Sequence, residues 1–250
     1  MTPPVFLAEA GQLDRDRVVL AGPEGRHAAA VRRITPGETL HLVDGAGTRA
    51  RCTVTETGRD TVVCRVEERG TDPEPRPRIT VVQALPKGDR GELAVEVMTE
   101  AGVDAIVPWA AERCVTRWRG DRAAKALAKW RSTAREAAKQ ARRSRVPEVT
   151  GPAATRDVAD LLAGAACGVV LHEGTGDRLA ELPLPGPGDP DAPPPGIVVV
   201  VGPEGGFTDA ELAAFSAAGA ARVLLGPTVL RTSTAGVAAL AVLQARCGRW

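Results

Sequence analysis

The chain has 250 residues, a formal net charge of +1, and 44% hydrophobic and 25% charged residues; this fits one large or two modest globular units, each able to bury a core. The near-zero charge confines any nucleic-acid affinity to local patches, and no apolar run is long enough to cross a bilayer. Five scattered cysteines without a Cys-x-x-Cys pair speak against a disulfide framework and against a bound metal.

The opening stretch, MTPPVFLAEAGQL, has no basic region followed by an apolar core. No secretory leader is expected, and a cytoplasmic location is. Residues 1 to about 70 read as β-rich. TLHLVDGAGTRARCTV (39–54) holds two extended stretches around Asp44-Gly45, a hairpin signal, and TVVCRVEE (61–68) is a third strand. Short strands with tight turns predict a small barrel over 1–72. GPEG at 22–25 precedes RHAAAVRR rather than a buried strand exit, so a structural turn is expected there. TDPEPRPR (71–78), with three prolines, reads as a linker.

From 78 to 250 the rhythm changes. The strand candidates are 79–85, 105–110, 167–173, 197–201 and 222–226, with helical stretches between most of them. They are apolar without polar alternation, as in a parallel sheet covered on both faces. This predicts an α/β domain. The Pro/Gly-rich stretch LPLPGPGDPDAPPPG (182–196) is expected to be a mobile surface loop. RAAKALAKWRSTAREAAKQARRSR (122–145) carries nine Lys or Arg and one Glu. On a helix, Leu127, Trp130, Ala134, Ala137 and Ala141 form the apolar stripe, with Lys129, Arg135, Lys139 and Arg142 off it. The charge reads either as a solvated face or as a phosphate-binding surface that includes Lys139, Arg142, Arg143 and Arg145. Arg26, Arg32 and Arg33 form a second, smaller patch.

The segment IVVVVGPEGGFTDAEL (197–212) poses the functional question. Branched residues deliver the chain to a strand end, and Gly202, Gly205 and Gly206 leave room for a ligand. Thr208 and Glu211 form a capping box, so a helix should start at about Asp209. Ligands of open α/β sheets bind beyond the carboxyl ends of strands. The loop lacks both Gly-x-Gly-x-x-Gly and Gly-Lys-Ser/Thr, and Glu204 would repel phosphate. It reads as a backbone-lined ligand loop or as a tight structural turn. RVLLGPTVLRTSTAGVAALAVLQARCG (222–248) ends a strand at Gly226-Pro227 and enters a helix from about Thr232 to Arg246. The density of alanines there suits close backbone approach, within a fold or at a dimer interface.

GPEGGFTDAEL followed by LLGPTVLRTSTA resembles the RsmE family of SPOUT methyltransferases. HAAAVRRITPG (27–37) with Asp44-Gly45, EVMTEAGVDAIVPWAAERC (96–114) and AAKQARRSRVPEV (137–149) are similar to further family segments. The resemblance spans nearly the whole chain. It implies a PUA-like N-terminal RNA-binding β-barrel and a SPOUT α/β domain with a deep trefoil knot. It also implies transfer of a methyl group from S-adenosylmethionine to the N3 position of a uridine in 16S ribosomal RNA of the small subunit, by a homodimer. Carried over residue by residue, the donor site comprises Gly202, Glu204, Gly205 and Gly206, then Leu225, Gly226, Leu230, Arg231 and Thr232, with Leu171, His172 and Glu173 from the preceding strand end. Arg231 is the candidate for stabilising charge on the uracil oxygens, or alternatively pairs with backbone or RNA phosphate; Glu204 or solvent would accept the proton. Three positions depart from the family pattern: Ser233 stands where an acid is usual, Thr228 where Arg is common, and Arg32 where Leu is. The alternatives are a non-catalytic RNA-binding assembly factor and a SPOUT enzyme acting on transfer RNA. His27 and His41 are expected as surface or satisfied core residues. Scarce aromatics shift RNA recognition toward shape and phosphate, and a target uridine must be unpaired or flipped out.

Overall fold

The computed structural model describes residues 3–9 and 11–250. The chain divides into two compact units. One contains the residues up to Pro73 together with Ala138–Val146; the other contains Glu74–Ala137 and Pro147–Trp250. Each has its own apolar core.

The first unit begins with β1 (Val5–Leu7), a 3₁₀ turn (Gln12–Asp14) and β2 (Arg17–Leu20). A short helix, α1 (Gly22–Arg26), runs into a π turn (His27–Val31). Then come β3 (Thr39–Val43), β4 (Thr48–Thr57) and β5 (Val62–Thr71). The strand order is β1-β3-β4-β5-β2, with β1 parallel to β3 and the remaining pairs antiparallel. Among the described residues no ladder joins β1 to β2, so the expected small barrel is an open, curled half-barrel. Alternation along β3 sends Leu40 and Leu42 into the core with Phe6, Val18, Val54 and Val62. His41 and Val43 point to the opposite face.

GPEG is not a turn. Pro23 sits at the first positions of α1, where its missing N–H costs nothing. Gly25 faces the carbonyls of Leu20 and Asp60 so closely that a Cβ would collide with them. Glu24 accepts from the N–H of Leu7 at 3.3 Å and from Lys139 Nζ at 2.8 Å. The duplicated motif is therefore packing, and its acid is a core-side anchor.

The second unit is a six-stranded sheet in the order β11-β9-β10-β6-β7-β8, all pairs parallel. Its strands are β6 (Arg78–Ala84), β7 (Ala105–Trp109), β8 (Glu148–Val149), β9 (Cys167–Leu171), β10 (Gly196–Val201) and β11 (Ala221–Val223). Between them lie α2 (Arg90–Glu100), α3 (Gly120–Gln140), α4 (Thr155–Ala163), α5 (Asp209–Ala217) and α6 (Thr232–Arg246). Five residues of β10 are buried without alternation because both sheet faces are covered. The small-residue helix α6 packs on α2, with Gly236 against the Met98 sulfur. Residues 182–195 form no helix or strand, Gly196 already opens β10, and Arg76 ties the stretch down by donating to the carbonyls of Pro187 and Pro190 at 3.2 Å each. The helical pattern expected over 122–145 stops at Gln140, and Ala141 is exposed rather than part of the stripe.

One largely buried ion pair closes the second unit. The Arg249 guanidinium donates to both Asp104 oxygens, at 2.7 and 3.0 Å, and to the carbonyls of Pro77 and Gly102. Asp104 also accepts from the N–H of Ile79 at the head of the sheet. Arg249→Ala would leave that carboxylate buried without its cation, at an expected cost of about 3–5 kcal/mol. Urea unfolding measures it; a loss below about 1 kcal/mol would contradict the assignment.

Candidate active site

The carboxyl ends of β9, β10 and β11 lie side by side and open into one cleft of about 590 Å³. That volume is in the range of small-molecule sites, and the position is where open α/β sheets bind ligands. Every donor-site candidate read from the sequence lines it: Leu171, His172 and Glu173 after β9; Gly202, Glu204, Gly205 and Gly206 after β10; Leu225, Gly226, Leu230, Arg231 and Thr232 after β11. Arg90, Arg113 and Phe207 line it as well.

The β10 loop is shaped by what its glycines omit. A Cβ at Gly202 would lie 2.6 Å from the Phe207 ring, and one at Gly205 would lie 3.0 Å from Arg113 Cβ and 3.2 Å from Arg113 O. Gly206 turns with φ of 69°, a left-handed value that glycine adopts without strain. Phe207 then stacks on Trp109 at 5.8 Å and also faces His172. The loop ends in the expected capping box. Thr208 Oγ1 accepts from the N–H of Glu211 at 3.2 Å, and Glu211 accepts from the N–H of Thr208 at 2.8 Å. Its other oxygen accepts from the N–H of Glu112 at 2.8 Å, although the side chain is nearly fully buried. One carboxylate thereby fixes both the glycine loop and the segment bearing Arg113. Arg113 closes the loop from above by donating to Gly205 O at 3.2 Å.

The β11 loop is the mirror case. Among the described residues, 225–230 make no backbone–backbone hydrogen bond, so their N–H and C=O groups are available to a ligand. A Cβ on Gly226 would meet nothing within 4 Å and would project into open space in the cleft lining. The loop is held at its far end by Gln83, a buried side chain on β6 whose Nε2 donates to the carbonyls of Ala84 and Thr232. Arg231 is exposed and forms no ion pair among the described residues. Ser233 is buried in the first turn of α6, so no carboxylate stands there to engage Arg231. Glu204 is exposed, and its Oε1 accepts from the N–H of Lys87 at 3.3 Å.

The expected RNA contacts fall in the first unit. Arg26, Arg32 and Arg33 are exposed, and Arg26 pairs with Asp60 at 3.3 Å. Arg142 is exposed, while Arg143 and Arg145 are half-buried. Lys139 requires a correction. It is 8% exposed and bonded to Glu24, because the chain folds its 138–146 segment into the first unit. Its charge is already matched, so it is not an open phosphate contact. Arg90 and Arg113 escaped the sequence reading as site residues. Arg113 stands 92 positions from the loop it contacts, and the Glu-Arg-Cys triplet was the only signal of it. Burial raises the pKa of the Cys114 thiol beside it, so that residue is packing rather than a nucleophile.

Comparison with known proteins supports an RNA-modifying role. A family described as an RNA methyltransferase domain matches residues 72–244, and one described as an RNA methyltransferase PUA domain matches residues 20–67. A Mycobacterium tuberculosis (strain CDC 1551 / Oshkosh) relative, ribosomal RNA small subunit methyltransferase E, is 48% identical over 236 residues, 93% of this chain and 87% of its own. The Bacillus subtilis protein of the same name is 29% identical over 235 residues, covering 90% and 88%. A crystal structure of a ribosomal RNA small subunit methyltransferase E from Neisseria gonorrhoeae bound to S-adenosyl methionine superposes with a TM-score of 0.85, at 29% identity over 98% of each chain. A Legionella pneumophila methyltransferase in complex with the bound cofactor SAM gives 0.84, at 28% identity over 98% of each.

The glycines separate fold from ligand space. Gly226→Ala adds a methyl group into open cleft and should change thermal stability by no more than about 0.5 kcal/mol. Gly205→Ala crowds the Arg113 backbone and should cost about 1–3 kcal/mol. Equal melting temperatures for the two variants would contradict the contacts described.

Proposed function

This chain belongs to the ribosomal RNA small subunit methyltransferase E family, and on that premise we propose that it methylates N3 of a uridine in 16S ribosomal RNA with S-adenosylmethionine as donor. The observation that carries the reading is the cleft itself: two backbone-lined loops, at the ends of the parallel strands β10 and β11 that flank β9, share one cleft whose lining includes three arginines. The residues fit the donor. Gly226 leaves a cradle that a side chain would fill, and the unbonded backbone of 225–230 offers donors and acceptors suited to an adenine and ribose. Leu171, His172, Gly202, Gly205, Gly206, Leu225, Leu230 and Thr232 would hold it, with Glu173 and Glu204 supplying negative charge toward its cationic centre.

When bound, S-adenosylmethionine supplies a methyl group activated by a sulfonium. The chain must present the nucleophile. Uracil N3 carries a weakly acidic proton, and losing it spreads negative charge over the two ring oxygens. Arg231, always charged and without a carboxylate partner among the described residues, would donate to those oxygens. The proton passes to Glu204 or to water. Bringing N3 to the cleft requires an extruded base, and the work of the rim is to position it.

We further infer the trefoil knot of SPOUT enzymes in the second unit. What supports it is that Val223 O accepts from the N–H of His172, while Leu224 donates to Asp177 O and accepts from the N–H of Leu179. The 223–224 segment therefore runs between two parts of one loop. A homodimer follows from the same reading. The first unit would bind RNA through Arg26, Arg32, Arg33, Arg142, Arg143 and Arg145. A ribosomal RNA substrate supports a cytoplasmic location. Separately, no described helix is long and apolar enough to cross a membrane.

Arg231→Ala should lower the rate by about 100-fold with RNA affinity near that of the wild type. Methylation of small subunits and of free 16S RNA, with mass spectrometry of the product nucleoside, provides the measurement. Full activity would end the role assigned to Arg231, and failure of the wild type to form 3-methyluridine would end the functional reading.

A further inference from the structure

The first unit carries a second cavity, of about 310 Å³, on the sheet face away from its core. Its lining is Pro3, Val5, His41, Val43, Arg49, Asp72, Arg142 and Ser144. The cavity exists because the 138–146 segment lies against the β3–β4 turn. Gly47 donates to Ser144 O at 3.1 Å, and Val146 donates to Gly45 O at 2.9 Å. Val43 is buried there although it lies outside the apolar core.

The charges in this cavity do not cancel. Asp72 is occupied on both oxygens, accepting from Arg49 Nε at 3.0 Å and from Ser144 Oγ at 2.6 Å. Arg51, opposite His41 on β4, pairs with Glu68 on β5 at 3.4 Å. Arg145 donates to the backbone carbonyl of Asp72. β1 contributes only Val5, and Pro3 ahead of it is also uncharged. What remains unmatched is Arg142, which forms no ion pair among the described residues and holds a left-handed φ of 57°, and the imidazole of His41.

The geometry points to a phosphate-binding site in this cavity, where Arg142 and His41 grip a backbone phosphodiester of the RNA substrate. The assignment rests on the reading of the chain as an RNA methyltransferase and names the group on its first unit that grips the substrate. Arginine and imidazolium donors match phosphate oxygens. Arg49 also lines the cavity and adds charge, but its guanidinium is already paired with Asp72.

His41 gives the site a pH signature. Burial, then Arg49, Arg51 and Arg142, lower its pKa below that of an ordinary histidine, so the free protein carries it neutral at pH 7. A bound phosphate favours the protonated ring and raises its pKa. Binding therefore takes up a proton. The contribution is full below the free pKa and fades as pH rises through the bound value.

The test is filter binding of full-length protein to protein-free 16S RNA at pH 6 and pH 8, with methylation assayed on the same preparations. Wild-type affinity should be roughly 5-fold higher at pH 6. His41→Asn should keep the pH 8 affinity and lose that gain. Arg142→Gly, which removes the side chain and suits the left-handed backbone, should weaken binding about 10-fold at both pH values and lower the salt slope by about one. Arg142→Lys should recover most of it. If either His41→Asn or Arg142→Gly binds like the wild type at both pH values while the wild type still methylates, the cavity is not a phosphate site. If the wild type neither binds nor methylates the RNA, the functional reading fails and the site falls with it.

Discussion

A single buried carboxylate organises the cleft. Glu211 is the third residue of α5 and only 2% exposed. Each of its oxygens is taken by a backbone N–H, that of Thr208 on its own loop and that of Glu112 on another. A carboxylate so buried is tolerated only when hydrogen-bonded in this way and placed at a helix N-terminus. It converts a flexible Gly-Pro-Glu-Gly-Gly stretch into a loop of fixed exit and sets Arg113 over Gly205. On the other side, Gln83 holds the carbonyl of Thr232 and so the end of the second loop. The pocket walls are thus tied to α5, α6 and β6 by buried polar groups, and the cleft-facing surface is left to backbone and glycine.

Arg231 illustrates the electrostatic consequence. Where the family usually has an acid, this chain has Ser233, buried in the first turn of α6. A carboxylate beside Arg231 would compete with a developing oxyanion for its donors. Its absence leaves the guanidinium without an ion pair among the described residues. The departure therefore bears on the role proposed for Arg231 and leaves the shape of the glycine loop after β10 unaffected.

Much of this was legible in the sequence because it depends on local chemistry. A run of β-branched residues unbroken by polar ones reads as a doubly covered strand, as for β10, and the Thr208–Glu211 spacing places the start of α5 at Asp209 as observed. The limits of α6 were readable from its alanines. The less legible features depend on long-range contacts. β1 and β2 are too short to show a pattern. The basic stretch over 122–145 looks like one helix, because nothing local reveals that Lys139 meets Glu24, 115 positions away. That pairing folds its end into the first unit. The same contact explains why GPEG at 22–25 is an anchor while its copy at 202–205 lines a cleft: the flanking context differs, and the four letters do not.

The central claim is that the strand-end cleft of the second unit holds S-adenosylmethionine through its backbone. Hydrogen–deuterium exchange of the full chain with and without that molecule tests it most directly. Amide protection should appear in 171–173, 202–207 and 224–232 and leave the first unit unchanged. Protection absent from those three segments at saturating ligand, or confined to the first unit, would contradict the account.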